Sequence, residues 1–290
     1  MDRNKILVGA IDMHLHCAPD TIPRKVDALE LARRATNAGM RAILLKSHAS
    51  PTAPLATLVE KAVPGIRVFG GLVLNESVGG INPEAVKTAI ALGAKAIWMS
   101  TVSARNHLKH MNTTSAAAHM RKLGGASGEG IYILGESGEV VPKVREIITL
   151  VKEADIILAA GHLSTEEIKA LAKEVKKAGL RKFVVTHPES DISCMSNEEQ
   201  RELLPYGAWF ERCYFATTKL GQSLDPAVIA ETINEVGAET TVLSSDLGQV
   251  DNPYPREGFR DYVESMLNCG ISQEAIHVMI RENPSRLLGI

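Results

Sequence analysis

Residues 6–16 read ILVGAIDMHLH, an apolar run that ends in two histidines two positions apart. Because side chains at i and i+2 of a β-strand point to the same face, His14 and His16 converge on one point at the end of this run. Two imidazoles at one point are the beginning of a metal site, although two ordinary histidines, one of them satisfied in the core, give the same pattern. The stretch therefore predicts a buried first strand over residues 6–13 with a candidate metal site at its end.

The composition is that of a globular protein with a large core. The chain has 290 residues, of which 45% are hydrophobic, and a formal net charge of −2 with acidic and basic residues interspersed. It has no basic stripe for a nucleic acid and no apolar stretch of the roughly 18 residues that a membrane span needs. The first residues, MDRNK, lead into the first strand without a signal-peptide pattern. We therefore expect neither a nucleic acid nor a membrane as a partner.

Cysteine usage indicates a reducing compartment. The cysteines are scattered and form no CxxC pair: Cys17, Cys194, Cys213 and Cys269. This pattern argues against a disulfide framework and against a cysteine zinc cluster, and it favours a cytoplasmic location. Cys17 directly follows His16, so its side chain should face away from the histidine pair, and we expect it to be structural.

A helix-to-strand unit recurs along the chain. In each instance a helical stretch ends at a glycine and an apolar run follows; these glycines are Gly39, Gly93, Gly179 and Gly237. Glycine after the last helical turn adopts the left-handed conformation at low cost. Helix starts are marked by Asn82-Pro83, Asp225-Pro226, and the capping-box pairs Ser164/Glu167 and Ser196/Glu199.

Strands that alternate with helices predict a parallel sheet. Eight runs have the composition of strands buried on both faces; they span about 6–13, 41–47, 67–74, 95–100, 156–161, 182–186, 207–215 and 240–245. Eight such units predict an α/β fold, a (β/α)8 TIM barrel that forms one domain over residues 1–290. The alternative is an open doubly wound sheet, which more often has a glycine-rich phosphate loop after its first strand; none is present here.

One long segment after the fourth strand interrupts the pattern. Residues 101–141 form the predicted insertion, in which 101–130 are rich in Ser, Ala, Asn and Gly and 131–141 have the pattern of a hairpin. A long loop after a barrel strand is often a lid over the active site. The insertion contains His107, His110 and His119, which could enter the site, although we favour solvated or lid-packing roles for them.

Polar residues fall at one end of the predicted strands. In a barrel of this kind the active site lies at the carboxyl ends of the strands. Ligand-type side chains follow six of these strands: His14 and His16, Lys46 and His48, Asn75, His162, His187, and Asp246. Five of the nine histidines are among them, which favours a convergent polar site over scattered core or capping residues.

Such a set of side chains suits a divalent metal. Imidazole and carboxylate ligands without thiolate fit zinc, and also manganese, iron, cobalt or nickel. A catalytic metal lowers the pKa of a water to about 7 and polarises a carbonyl or phosphoryl oxygen. Asp246, at the rim, is suited to act as general base and later as proton donor. The expected cofactor is one or two divalent ions per chain, with zinc as the first choice.

These residues resemble the amidohydrolase superfamily of metal-dependent hydrolase barrels. The matching pieces are His14-Leu15-His16, His162, His187, Asp246 and the terminal sequence ENPSRLLG at residues 282–289. The resemblance extends over the chain from residue 14 to residue 289. It implies that the histidine pair and Asp246 hold one metal, and that His162 and His187 hold a second metal or assist the first.

Two features depart from the superfamily. Many members with two metals carry a carboxylated lysine at the end of strand four, where this chain reads Trp98-Met99-Ser100-Thr101, and Lys95 lies at the other end of that strand. The bridge is therefore either missing, which gives a one-metal site, or replaced; the candidates are Lys46, Glu76 and Glu136. Many members also begin with a small β-sandwich, whereas 13 residues precede His14, so we expect a compact member without it.

Further polar residues are candidates for substrate binding. Lys46 and His48 are two positions apart, so both should point into the mouth, where Lys46 could pair with a carboxylate or phosphate. Asn75 could hydrogen-bond a carbonyl, and Arg256, in the loop after the last strand, could clamp an anion. The alternative for each residue is a surface or packing role.

The leading function is hydrolysis of a small amide, cyclic amide, lactone or ester by a metal-activated water. Asp246 would take the proton, and the metal with His187 or His48 would stabilise the oxyanion. A non-hydrolytic lyase such as a decarboxylase, or a phosphoesterase, is the alternative on this scaffold, and a non-catalytic metal- or ligand-binding protein is a third class. The partner is a small molecule that can be anionic, and the resemblance favours a homo-oligomer.

Overall fold

Eight parallel strands form the centre of the molecule. In the computed structural model, which describes residues 5–113 and 128–290, they are β1 (Ile11–Leu15), β2 (Ala42–Leu45), β3 (Arg67–Val73), β4 (Ala96–Trp98), β5 (Ile157–Ala159), β6 (Phe183–Thr186), β7 (Ala208–Cys213) and β8 (Thr241–Ser244). They are hydrogen-bonded in chain order, and each neighbouring pair is parallel. Nearly all strand residues are buried, which explains why their sequences are apolar runs rather than alternating patterns.

Helices follow the strands and cover the outside of the sheet. They are α1 (Ala28–Asn37), α2 (Ala53–Ala62), α3 (Pro83–Ala91), α4 (Arg105–Thr113), α5 (Pro142–Glu153), α6 (Thr165–Ala178), α7 (Asn197–Leu203), α8 (Pro226–Val236), α9 (Pro255–Asn268), α10 (Gln273–His277) and α11 (Asn283–Leu288). One apolar cluster fills the inside of the barrel, and two larger clusters lie between the sheet and the helices. Among the described residues, no helix has the length and apolarity to cross a membrane.

The first and last strands meet at a seam that closes the sheet. The backbone N–H of Asp246 donates to the carbonyl of His14 (2.8 Å), and the N–H of His16 donates to the carbonyl of Leu247 (2.8 Å). We call residues 14–16 and 246–248 the β1–β8 seam. Closure confirms the (β/α)8 barrel and excludes the open doubly wound sheet. It also places three of the expected ligands, His14, His16 and Asp246, on adjacent chain segments.

The first strand begins later than predicted. Residues 6–9 were expected to be extended, but they form turns, and β1 starts at Ile11. Gly9 has a φ of +75°, and its N–H donates to the carbonyl of Gly39 (2.8 Å). The Arg281 side chain binds the carbonyls of Ile6 and Val8 (2.9 and 2.8 Å). Ile6 is therefore buried without belonging to a strand, because side-chain hydrogen bonds satisfy its backbone.

The predicted helix boundaries are confirmed. Ser164 with Glu167 and Ser196 with Glu199 form reciprocal capping boxes at the starts of α6 and α7. Asn82 accepts hydrogen bonds from the N–H groups at the start of α3. The four glycines after helices all have positive φ, between +70° and +108°. These local signals fix where each helix begins and ends, and therefore where each strand can start.

The predicted insertion over residues 101–141 is described in part. It begins with α4, and residues 114–127, which include His119, lie outside the described residues. The predicted hairpin over residues 131–141 is confirmed as a short antiparallel pair in which Leu134 bridges Val140. The N–H of Gly135 donates to the carbonyl of Glu139 (2.9 Å), which closes the turn.

Replacing Gly248 with alanine is expected to open the seam. Gly248 has a φ of +141°, and a Cβ atom there would lie 2.0 Å from the carbonyl oxygen of His16. The seam backbone is hydrogen-bonded on both sides and cannot move away without losing those bonds. We expect the free energy of unfolding to fall by roughly 3 kcal/mol or more, as measured by urea denaturation.

Gly93→Ala is the matched control for Gly248→Ala. Gly93 has a φ of +88°, but nothing lies within 4 Å of an added Cβ atom. Its replacement should cost only the left-handed backbone penalty of about 1–2 kcal/mol. Equal losses of stability in the two variants would show that the close contact at the seam is not responsible.

Candidate metal centre

Five imidazole rings form a closed circle at the carboxyl ends of the strands. The circle runs His14, His16, His48, His162, His187 and back to His14, with neighbouring ring centroids 5.4, 4.8, 6.2, 5.0 and 6.3 Å apart. His14 lies in β1, and the other four histidines lie shortly after β1, β2, β5 and β6. Because the strands are parallel, these positions meet at one end of the barrel. We call these five residues the histidine circle.

Each ring of the histidine circle is held through its Nδ1 atom. The Nδ1 partners are Glu211 Oε2 for His14 (3.0 Å), Arg24 Nη2 for His16 (3.4 Å), Thr101 Oγ1 for His48 (2.9 Å), His107 Nδ1 for His162 (2.9 Å) and Ser190 Oγ for His187 (2.9 Å). Because Nδ1 of each ring is engaged, Nε2 is the nitrogen that is available to bind a metal. Metal-binding histidines are typically oriented by such a partner on the other ring nitrogen.

Asp246 meets the histidine pair at the β1–β8 seam. Its Oδ1 atom lies 3.1 Å from His14 Nε2 and 3.2 Å from His16 Nε2. Ligand atoms of a tetrahedral site with bonds of about 2.0–2.3 Å are separated by about 3.3–3.8 Å. The three side chains are therefore close to the spacing that one shared cation requires.

Cys213 places a sulfur atom beside His14 that was not expected. Its Sγ atom lies 3.7 Å from His14 Nδ1. Within the described part of the chain, His14, Cys213 and Asp246 form a group whose possible ligand atoms all lie within 4.8 Å of one another. Nitrogen, oxygen and sulfur donors together fit zinc better than magnesium or calcium, which prefer oxygen. The side chains present at the site thus fit a divalent cation of the zinc type.

His14 and His16 differ in whether their Nε2 atoms carry a proton, which decides how readily each can bind a metal. Glu211, as an ionised carboxylate, accepts the Nδ1 proton of His14, which leaves a lone pair on His14 Nε2. Arg24 can only donate, so in contact with it His16 Nδ1 accepts and His16 Nε2 carries the proton that faces Asp246. His14 Nε2 is thus already free of a proton, although Lys46 contacts it, whereas His16 must first give up the contact with Arg24 before its Nε2 can lose its proton.

Burial keeps the histidine circle neutral. Loss of solvent lowers the pKa of His14 to about 3 and the pKa of His187 to about 4. The same cause lowers the pKa of His16, His48 and His162 well below the usual value. Neutral imidazole is the form that binds metals, so these rings are available as ligands at neutral pH.

Lys46 occupies the space next to His14. Its Nζ atom lies 2.9 Å from His14 Nε2 and 5.4 Å from the centre of the Trp98 ring. Burial lowers the pKa of Lys46, while attraction to Asp246 and Glu211 opposes that change. Burial also raises the pKa of Glu211 to about 7. A cation and the lysine therefore compete for the same nitrogen of His14.

The backbone is strained at two of the site residues. His187 has a φ of +33° and Asp246 a φ of +51°, values that residues with a Cβ atom rarely adopt. Each conformation costs about 1–3 kcal/mol and persists only where surrounding contacts hold it. The N–H of His187 donates to the carbonyl of Glu211 (2.7 Å), and that of Asp246 donates across the seam. Such strain is typical of functional sites.

A cavity of about 440 Å³ opens onto this centre. Polar side chains of the centre line one part of it: His16, Lys46, His48, His162, His187 and Asp246. Apolar side chains from the loops after β1, β6 and β7 line another part: Ile22, Ile192, Phe215 and Leu220. The volume lies within the range of small-molecule sites.

The structure brings most of the predicted site residues together, but Asn75 and Arg256 lie elsewhere. The Asn75 amide is 1% exposed and is engaged by the carbonyl of His48 (2.9 Å), the Thr101 side chain (2.8 Å) and the N–H groups of Thr101 and Ser103. Asn75 thus ties the loops after β2 and β4 to each other. Arg256 lies on the first turn of α9, where its Nη1 contacts Glu257 (3.3 Å), and it does not line the cavity.

Of the three suggested replacements for the bridging lysine, only Lys46 lies at the centre. Glu76 and Glu136 are exposed. Lys46 is 2% exposed and contacts His14 directly. Its amine occupies the space beside His14 Nε2, so it is the one suggested residue within reach of a metal there.

Four residues of the centre were not expected from the sequence: Arg24, His107, Glu211 and Cys213. Glu211 and Cys213 are two positions apart on β7, and charge within a buried strand is the signal that could have found Glu211. His107 was expected to be solvated or to pack in a lid, but it is 2% exposed and contacts His162. The position of His107 depends on the path of α4, which the spacing of residues along the sequence does not determine.

Replacing His107 with phenylalanine is expected to weaken metal binding. The variant keeps a ring beside His162, where the two rings now stack at 4.8 Å, but it removes the Nδ1 partner of His162. Loss of such an orienting partner should lower zinc affinity roughly 10-fold, as measured by competition with a chromogenic chelator.

His110→Phe is the matched control on the same helix. His110 Nε2 contacts Asp191 Oδ2 (3.0 Å). Unchanged zinc affinity in His107→Phe, or an equal loss in His110→Phe, would contradict a specific contribution of His107.

Solved structures of several enzymes share this fold. They include an amidohydrolase from Pseudomonas aeruginosa (TM-score 0.65, 13% identity, 99% of this chain and 98% of that chain). An organophosphorus hydrolase from Deinococcus radiodurans has a TM-score of 0.62 at 13% identity, covering 98% of this chain and 94% of that chain. A 2,6-dihydroxybenzoate decarboxylase from Rhizobium has a TM-score of 0.57 at 12% identity, covering 97% and 99%. These matches confirm the barrel fold that the resemblance implied.

Sequence comparison assigns the chain to a family. A search of the curated proteins finds no match. The profile of a family of unknown function, DUF6282, matches residues 9–211. The matched region includes all five members of the histidine circle but ends before Asp246. The match spans more than half of the chain, so the protein belongs to the DUF6282 family.

Proposed function

We propose that this protein is a metal-dependent hydrolase of a small amide, cyclic amide, lactone or ester. One observation carries the proposal: Asp246 Oδ1 lies 3.1 and 3.2 Å from the Nε2 atoms of His14 and His16, beside a cavity of about 440 Å³. A carboxylate beside two neutral imidazoles can both hold a cation and accept a proton from a water in the cavity.

The proposed ligands are His14, His16, His162, His187 and Asp246, with Cys213 as an addition from the geometry. A bound cation, with zinc as the first choice, would supply Lewis acidity that acidifies water and polarises a carbonyl group. Manganese, iron, cobalt and nickel remain alternatives, and so does the number of ions, one or two. Of these ligands, His14 and Asp246 already face each other, with His14 Nε2 3.1 Å from Asp246 Oδ1.

The proton path is assigned to Asp246. Its side chain is 13% exposed and lines the cavity, so it can receive a proton from the attacking water. The same carboxyl group can then return the proton to the leaving nitrogen or oxygen. In a site where His187 is not bound to an ion, its Nδ1 is fixed by Ser190 and its Nε2 can be directed toward the developing oxyanion.

Substrate binding is assigned to the polar residues of the cavity. Lys46 and His48 line it and can contact a carbonyl or an acidic group. Asn75 acts indirectly in this proposal, since it holds the carbonyl of His48 (2.9 Å). Arg256 could contribute only if the loop before α9 moved. The expected partner is a small molecule; a cytoplasmic location and a homo-oligomeric state stay predictions.

A non-hydrolytic decarboxylase is the second candidate. Two basic side chains line the cavity and are nearly buried, Lys46 at 2% and Arg24 at 2% exposure, which suits an acidic substrate. One structural relative is named as a decarboxylase of 2,6-dihydroxybenzoate. Phosphoester hydrolysis is a third possibility, in line with the organophosphorus hydrolase among the relatives.

A substrate panel with isotope-labelled water tests the proposal. Zinc-loaded protein would be incubated in H2¹⁸O with dihydrocoumarin, 4-nitrophenyl acetate, dihydrouracil and 2,6-dihydroxybenzoate. We expect metal-dependent turnover of a carbonyl substrate with one ¹⁸O atom in the acid product. Release of carbon dioxide without ¹⁸O incorporation would select the decarboxylase instead. Turnover that survives complete metal removal would contradict both.

A further inference from the structure

Arg24 is a nearly buried cation at the edge of the cavity. Its side chain is 2% exposed, and that of Asp20 is 1% exposed. Arg24 Nε binds Asp20 Oδ2 at 2.7 Å, while Nη2 lies 3.4 Å from His16 Nδ1. Arg24 and His16 both line the cavity. Asp20 therefore holds the Nε side of the guanidinium, and the Nη2 end faces the site.

The loop that carries Arg24 is fixed to the β1–β8 seam. The N–H of Lys25 donates to the carbonyl of Gly248 (2.8 Å), and Arg24 forms an antiparallel bridge with Gln249. Within the loop, the N–H of Ala18 donates to the carbonyl of Val26 (2.9 Å). Arg24 is thus positioned before any ligand arrives, which reduces the entropy lost on binding.

Within residues 5–113 and 128–290, the contacts of Arg24 do not use its full binding capacity. A guanidinium has five N–H donors arranged to match a carboxylate in two-point contact. Asp20 meets it at one nitrogen, and 3.4 Å is long for a hydrogen bond to an imidazole. A charged donor so deeply buried gains more from a second anionic partner than from the weak contact with His16.

The cavity around Arg24 is amphipathic. Ile22 and Phe215 contribute apolar surface, and Ile192 and Leu220 extend it. Three basic side chains line the same cavity, against two acidic ones: Arg24, Lys46 and Lys219, and Asp191 and Asp246. A molecule that fills this space needs an apolar body and an acidic group that reaches Arg24.

We propose that the cavity binds a small organic acid with an apolar body, whose carboxylate pairs with the Nη atoms of Arg24. The inference rests on the proposed function in that it names the substrate class of the same site. Binding of the acid draws Arg24 Nη2 away from His16 Nδ1. That exchange releases His16 from the tautomer in which its Nε2 proton faces Asp246, so the acid and the metal favour each other's binding.

Paired acids and amides of equal shape test this proposal. Benzoate would be compared with benzamide, and hexanoate with hexanamide, by calorimetric titration of the zinc-loaded protein. We expect at least one acid to bind roughly 10- to 100-fold more tightly than its amide, the range for a charged hydrogen-bonded pair. If neither acid binds more tightly than its amide, the proposal is overturned.

Variants assign the preference to Arg24. Arg24→Gln should bring acid and amide to within about twofold of each other, and Arg24→Lys should keep part of the preference. Arg67→Gln is the control, because that arginine is exposed at the amino end of β3 and does not line the cavity, and it should bind as the wild type does. An undiminished preference in Arg24→Gln would overturn the assignment. If Arg24→Gln fails to fold, the acid–amide preferences of the wild type and of Arg24→Lys still test the assignment.

Metal analysis of the same samples separates this proposal from the proposed function. Wild-type protein that holds no metal but prefers acids would refute the metal-dependent hydrolase and leave the acid site intact. Protein that holds zinc and hydrolyses a carbonyl substrate without preferring acids would refute only the acid site.

Discussion

The His14→Ala/His16→Ala double variant is expected to lose its bound metal. Wild-type protein purified without added metal or chelator should contain about one or two equivalents of zinc or a related divalent ion per chain, and the variant close to none. His14 Nε2 and His16 Nε2 both face Asp246 Oδ1, so their removal leaves one carboxylate and one sulfur at that position. Elemental analysis by mass spectrometry gives the ratio directly, and the wild-type value chooses between one and two ions.

The control for this experiment is His277→Ala. His277 is about half exposed, with 53% of its side-chain surface accessible, and it contacts Glu282 at the far end of the chain. Its loss should leave the metal content unchanged. If the wild type holds no metal, and gains none when zinc, manganese, iron or nickel is supplied, the hydrolase proposal fails and the histidine circle must have another purpose.

The Asp246→Asn variant is expected to keep its metal and lose turnover. The amide retains an oxygen beside the Nε2 atoms of His14 and His16, but it cannot accept a proton from water. Removal of a general base lowers kcat by roughly 10²- to 10⁴-fold. The measurement is kcat on the carbonyl substrate that the wild type hydrolyses, together with metal content of the same preparation.

Asp251→Asn is the matched control in the same loop. Asp251 is exposed, five positions along the chain from Asp246, and its loss should change neither kcat nor metal content. Wild-type turnover in Asp246→Asn would refute the role of that residue as base. Loss of metal along with turnover would assign Asp246 to metal binding and leave the base unidentified.

The barrel could be predicted from the sequence because its signals are local. Apolar runs, capping boxes and glycines after helices mark eight strand–helix units, and the parallel order follows from their alternation. The histidine circle follows from the same reasoning, since residues just after parallel strands share one end of the barrel. The predicted start of β1 was wrong because an apolar run can also be buried as a turn. In this turn the Arg281 side chain donates hydrogen bonds to the backbone carbonyls.

The partners of the histidines could not be predicted in the same way. Glu211 reaches His14 across the barrel interior, 197 positions away in sequence. His107 reaches His162 from α4, and Arg24 reaches His16 from a loop fixed by backbone bonds to Gly248 and Gln249. Each contact depends on side-chain direction and loop course, which are set by packing rather than by spacing along the chain.

The β1–β8 seam sets the time at which the site can exist during protein synthesis. His16 and Asp246 are in contact but lie 230 positions apart, so a ribosome needs roughly 10–50 s to make the second after the first. Until β8 emerges and closes the barrel, the early histidines have no carboxylate beside them. A metal that requires both residues can therefore bind only after Asp246 has been made, and a nascent chain truncated before residue 246 would lack that carboxylate even if its first seven strands had formed.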